Sequence, residues 1–205
     1  GLGGAPSGGT GATSTGGVGA TPAGGTGGSA PGGTGGVGGD AGPFAVGDGG
    51  YVTTGLWHGY AWTAASGGTI TPDDFSALTA GGQLCASGTV DPAADYGGVA
   101  MLGINLNQAP TEPNPAETVT PTSDGIVVEV SNPGGSELRV QIQGPDDSRW
   151  CAQLSGNGGL IPWSSFNTMC WDNTGNYYAG EPVVSAMVLV PGLDTSAVDF
   201  DFCVT

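Results

Sequence analysis

Lysine is absent from this chain of 205 residues, and its only Lys or Arg side chains are Arg139 and Arg149, against 18 acids. A net charge of −16 excludes nucleic acid as a partner, because phosphate binding needs clustered Lys and Arg. Anionic membrane surfaces are excluded for the same reason. Histidine is almost as scarce. The single His58 has no second histidine to complete a zinc site, and none of the four cysteines forms CxxC. No apolar run is long enough for membrane insertion. The chain opens GLGG, with neither a basic start nor an apolar stretch. No signal peptide is visible, and the expectation is the mature part of an exported protein.

Large apolar side chains are scarce in residues 1–43, a low-complexity segment of Gly, Thr, Ser, Ala and Pro whose one charged side chain is Asp40. Its units are loose variants of GGTG and GGVG. Gly falls in every phase of three, which excludes collagen, and its abundance excludes a helix or a packed core. With no Lys and no strand-to-helix context, the segment is not a phosphate loop. Two readings remain. One is a flexible linker, open to O-glycosylation. The other is an extended segment ordered by neighbouring chains, since Gly lets backbones approach closely.

From Phe44 the composition changes, and residues 44–205 are long enough for one domain with a sizeable core. Short runs rich in Val, Ile, Thr and aromatics recur between Gly, Pro, Asn and Asp clusters. Strands are expected near 50–64, 84–90, 98–106, 125–131, 137–143, 149–154, 159–162, 183–190 and 197–204. "SNPGGSE" reads as a hairpin connection. The one helical turn expected is "TPDDFSAL", with Thr71 as its cap. Residues 107–123 read as a long Pro-rich surface loop. The fold class is all-β, a two-sheet sandwich.

Three segments carry a family resemblance: "DGIVVEVSNPGGSELRVQIQG", "GLIPWSSFNTMCW" and "VVSAMVLVPGLDTSAVDFDFCV". Together they resemble the galactose-binding-like jelly rolls of bacterial carbohydrate-binding modules. The resemblance implies a jelly-roll-like β-sandwich that binds sugar, mediates adhesion or serves as a structural unit, and it does not name a ligand. Those modules usually sit beside a catalytic domain, whereas this one follows a Gly-rich tail.

Period-2 arithmetic supports the sandwich independently. In 197–204, Val198, Phe200, Phe202 and Val204 share one face, with Asp199, Asp201 and Cys203 opposite. In 84–90, Leu84, Ala86 and Val90 share a face and Cys85 lies off it. Cys85–Cys203 and Cys151–Cys170 are therefore the expected disulfides, although the alternative pairings stay open. Two disulfides imply an oxidising, extracellular or cell-surface location.

Catalysis finds little support. His58, in "GLWHGYAW", has no nucleophile motif to serve. The carboxylate pairs Asp73–Asp74, Asp146–Asp147 and Asp199/Asp201 are the kind that turns normally carry in solvent, although paired acids do run glycoside chemistry. No cofactor is required. A structural calcium ion is the one metal that acid-rich loops near Asp91, Asp95, Asp146, Asp147, Asp172 and Asp199 are suited to, without an EF-hand spacing.

Aromatic side chains bear on the sugar question, because sugar rings stack on flat aromatic faces. Trp57 and Trp62 lie at odd spacing and face opposite sides of a strand, with His58, Tyr60 and Trp62 on one side. Tyr177 and Tyr178 lie in a Gly- and Asn-rich loop where exposure is expected, and Trp163 and Trp171 flank the edge segment. The competing role for each Trp is core packing. Trp171, Tyr177 and Tyr178 serve equally well as anchors between subunits.

The sequence therefore predicts a non-enzymatic extracellular structural subunit. Its copies would assemble head to tail into a fibre or surface layer through the Gly-rich tail, one version being strand addition by residues 43–52. The alternative is a carbohydrate-binding or adhesion module on a flexible linker.

Overall fold

The computed structural model describes residues 44–54, 57–94, 97–111 and 113–205. The tail at 1–43 lies outside the described residues. Twelve strands and two single 3-10 turns make up the regular structure, with no α-helix among the described residues. One antiparallel sheet has seven strands in the order β1 (Ala45–Val46), β2 (Tyr51–Thr54), β3 (Trp57–Ser66), β6 (Val99–Asn105), β11 (Ser185–Pro191), β8 (Arg139–Gln143) and β9 (Arg149–Gln153). The other has five: β10 (Gly158–Pro162), β7 (Gly125–Ser131), β12 (Val198–Val204), β5 (Leu84–Val90) and β4 (Gly68–Thr71). The result is a two-sheet antiparallel sandwich, compatible with a jelly-roll-like fold.

Side-chain alternation explains which face each strand buries. In β12, Phe200 and Phe202 are buried while Asp199 and Asp201 face solvent. In β8, Val140 and Ile142 point into the core, and Arg139, Gln141 and Gln143 point out. Val52, Val90, Ala100, Val190 and Phe166 fill the space between the sheets. The strand β11 runs between β6 and β8, and its Ser185–Val190 stretch is buried on both faces. That placement accounts for its unbroken apolar run, which solvent contact on one face would have interrupted.

Most expected strands appear within a residue or two of their boundaries. Three differences have physical causes. The run 50–64 is two strands, because the chain reverses between Thr54 and Trp57, placing Tyr51 opposite Tyr60. Alternation persists across both strands and hides the reversal. The extra strand β4 follows Ser66, where Gly67 takes φ +66° and lets the chain pass from one sheet to the other. "TPDDFSAL" forms no helical turn capped by Thr71. Asp74 Oδ1 instead accepts the Ser76 N–H (2.8 Å) and hydroxyl (2.6 Å) in an Asx turn. Those bonds hold the Asp74 carboxyl below its usual pKa, and Phe75 drops into the core beside Gly50 and Ala61.

Cys85 and Cys203 stand opposite each other in the β5–β12 pair and are bonded. Cys151 on β9 is bonded to Cys170. Both disulfides fit an oxidising, extracellular environment, and no helix among the described residues is long and apolar enough to cross a membrane.

Candidate functional site

Beyond the edge strand β9 the chain builds a small flap from residues 166–178. Cys151 and Asn167 exchange backbone hydrogen bonds of 2.8 and 3.0 Å, which adds Asn167 to the seven-stranded sheet. The flap then folds back on itself. Thr168 N–H donates to Asn176 O (3.0 Å), and Tyr178 N–H donates to Phe166 O (2.9 Å). The Cys151–Cys170 bond ties its tip to β9.

Side chains inside the flap fix the conformation of that tip. Asn167 is fully buried. Its Oδ1 accepts the Met169 N–H (2.8 Å), and its Nδ2 donates to Asn173 Oδ1 (3.2 Å). Asp172 Oδ1 accepts both the N–H (3.0 Å) and the hydroxyl (2.8 Å) of Thr174. Asn173 sits at φ +59°, which Asn tolerates better than other side chains with a Cβ. Replacing Asn167 by Ala is expected to cost about 1–3 kcal/mol, because it removes two hydrogen bonds made by a fully buried amide. It should also open the flap to chymotrypsin at Trp171 and Tyr177. Unchanged cleavage would show that the disulfide alone holds the tip.

The flap sorts its aromatics sharply. Trp171 is 56% exposed and Tyr177 55% exposed, with Met169 exposed near them in sequence. Tyr178 points the other way and is only 6% exposed, which corrects the expectation that both tyrosines face solvent. It alternates with Tyr177, packing edge-on to Trp150 (5.2 Å) and tilted against Trp163 (5.6 Å). Its hydroxyl donates to Glu181 O. Trp57 belongs to the same inner cluster, stacked on Trp163 at 6.1 Å, so it supports the core more than it offers a contact.

Burial, and then the charge of Glu181, push the Tyr178 pKa up to about 12 from 10.0. Below the unfolded value both states keep the proton. Between the two values only the unfolded chain loses it, so stability falls as pH rises through that window. Unfolding measured at about pH 9 and about pH 11 should show this loss, and Tyr178→Phe should reduce it. An equal loss in the variant would assign the alkaline sensitivity elsewhere.

Trp62 faces out of the sandwich from β3, four strands from β9 in the same sheet. Strand register puts Trp62 beside Gly103, then Met187, Gln141, Cys151, Asn167 and Tyr177 in one row across seven segments. At the usual spacing between strands the row runs about 29 Å. A Cβ on Gly103 would lie 2.4 Å from Trp62 Cζ2, so glycine at this position lets the indole lie across β6. Gln141 Nε2 lies 3.2 Å from Met187 Sδ. Met101, Leu189 and Arg139 form the adjacent row, and Arg139 pairs with Glu137 at 2.7 Å. The outer face of this sheet thus carries an apolar centre, flanking amides and exposed aromatics on the flap.

Among the described residues, acidic side chains do not converge. Asp146 Oδ1 accepts the Ser148 hydroxyl (2.5 Å), Asp147 accepts from Gln143 (2.9 Å), and Asp199 accepts from Thr89 (2.7 Å). Among the described residues no group of three or more His, Cys, Asp or Glu could hold a metal ion. Asp91, Asp146, Asp147, Asp172 and Asp199 are not brought together, and Asp95 lies outside the described residues. The His58 ring lies 6.5 Å from that of Tyr51, centroid to centroid. What the face offers is stacking and hydrogen bonding.

Sequence reasoning missed Gly103, Met101, Met187, Leu189 and Gln141. Their alternation was visible, but β3, β6, β11 and β8 are neighbours only after folding, so no local signal joins them. No family model matches the chain, and no curated protein or solved structure matches it either.

Proposed function

We propose that this chain is a non-enzymatic extracellular binding or adhesion module whose flap and outer sheet face take up polysaccharide. The observation that carries this reading is the exposure of Trp171 and Tyr177 on a flap pinned by a disulfide, a buried Asn and an Asx turn. Aromatic anchors on a preorganised surface lose little entropy on binding. Sugar rings present C–H faces that stack on them, and their hydroxyls suit the neighbouring amides. Trp62, in the same row, would extend contact along a polymer.

Trp171 is the most exposed tryptophan, so bound oligosaccharide should shift the intrinsic emission to shorter wavelength. The shift is expected to disappear in Trp171→Ala. Titration with cello-, chito- and xylo-oligosaccharides that leaves the wild-type emission unchanged would sink the reading.

A second reading, the self-assembling structural subunit, is favoured by the separation of charge. Residues 1–43 carry only Asp40, and every other acid lies in 44–205. Bodies of like charge repel one another, so the neutral tail is the part of the chain best suited to touch another copy.

A further inference from the structure

We infer that the free edge of β10 is an acceptor site for the Gly-rich tail (residues 1–43) of a second copy of this chain, added as an extra strand. The inference rests on the self-assembly reading and is independent of glycan binding.

The edges of the two sheets are not alike. The flap covers β9, β1 has two residues, and β4 presents Thr69 and Thr71. The strand β10 pairs with β7 on one side and with no other strand among the described residues. Natural edges are usually blunted by charge or proline. Here Gly158–Ile161 carries neither, and only Pro162 closes the strand. Leu160 is 62% exposed and stands opposite Val127, which is 59% exposed. The two form an apolar lip on the outer face of the edge. Along the strand runs a shallow groove, lined on its far side by Gln153, Leu154, Ser155 and Ser165.

An occupant must be extended, narrow and uncharged. The tail's composition suits all three demands. It is mostly Gly, so its backbone can hydrogen-bond in a tight groove without side-chain clash. It carries one charge, whereas a neighbour's folded body would bring the remaining acids against Glu129, Asp199 and Asp201 on the same outer face. The start of the described chain and the β10 edge lie in different sheets. The described chain starts beside β1, at the edge whose Val46 O accepts the Gly81 N–H from the segment after β4. The strand β10 is the opposite edge of the five-stranded sheet. Fully extended, 43 residues reach up to about 140 Å, enough to meet a neighbour. The tail of one copy on the edge of the next is a head-to-tail contact, which propagates into a filament unless the rotation between copies closes a ring.

The test uses the full chain with p-benzoylphenylalanine in place of Leu160, as an equal mixture of isotope-labelled and unlabelled protein. Irradiation is expected to give a product of twice the 19.9 kDa chain mass, with position 160 joined to residues 1–43 of the other isotope. Leu160→Asp, which puts a charge on the edge, is expected to weaken association in sedimentation at least roughly tenfold. Links confined to one isotope would mean the chain's own tail takes the site, and the inference fails. Links to residues 44–205 of another copy would keep self-assembly and overturn the β10 acceptor. Monomeric sedimentation with no linked product would overturn both.

Discussion

Replacing Cys85 and Cys203 together by alanine is expected to lower the unfolding free energy by about 5 kcal/mol in the chain-entropy account. The two residues are 118 positions apart, so the bond closes a loop that spans most of the folded domain and removes much freedom from the unfolded chain. Both side chains are half-buried and face away from the core, so little packing is lost with them. Removing Cys151 and Cys170, 19 positions apart, should cost about 3 kcal/mol by the same account. Domains of this size have a net stability of about 5–15 kcal/mol. The first variant should therefore be marginal at body temperature, while the second stays folded with a loosened flap. Urea unfolding of both variants checks this. A smaller loss for Cys85/Cys203 than for Cys151/Cys170 would show that strain or residual unfolded structure, not loop length, sets the values.

Trp171→Ala with Tyr177→Ala should abolish polysaccharide retention while leaving the fold intact. Each aromatic anchor is assigned about 1.5 kcal/mol, so the pair amounts to about 3 kcal/mol, or roughly 150-fold in affinity. More than half of each side chain is open to solvent, so stability should hardly change. Tyr178→Ala is the informative control. It removes a ring wedged between Trp150 and Trp163 and should cost stability first. Equal binding losses in the two cases would mean that the inner cluster, not the exposed pair, shapes the site.

The sequence made much of the sandwich legible through local alternation. Phe200 and Phe202 against Asp199 and Asp201 fix the faces of β12 without any knowledge of its neighbours, and the same arithmetic puts Cys85 and Cys203 off the core. What was not legible was strand adjacency. Met187 and Leu189 look like core residues, yet they lie on the outer face and are covered there because β11 is central. Trp62 and Tyr177 belong to one row only through register across strands distant in sequence. Tyr177 and Tyr178 look alike in a polar loop, but Tyr178 faces inward because the flap pairs as a short hairpin and alternates like any strand. The described part of 43–52, the stretch expected to add to a neighbour's sheet, pairs within its own sheet, Ala45–Val46 with β2 and Tyr51–Val52 with β3, and β1 keeps its outer side as the sheet edge.

The most direct measurement is depletion of the full-length protein from solution by insoluble cellulose, chitin and xylan, beside the Trp171→Ala/Tyr177→Ala variant. The account predicts that at least one polymer removes the wild-type protein and leaves the variant in solution. Wild-type protein left behind by all three, or equal removal of both proteins, would contradict it.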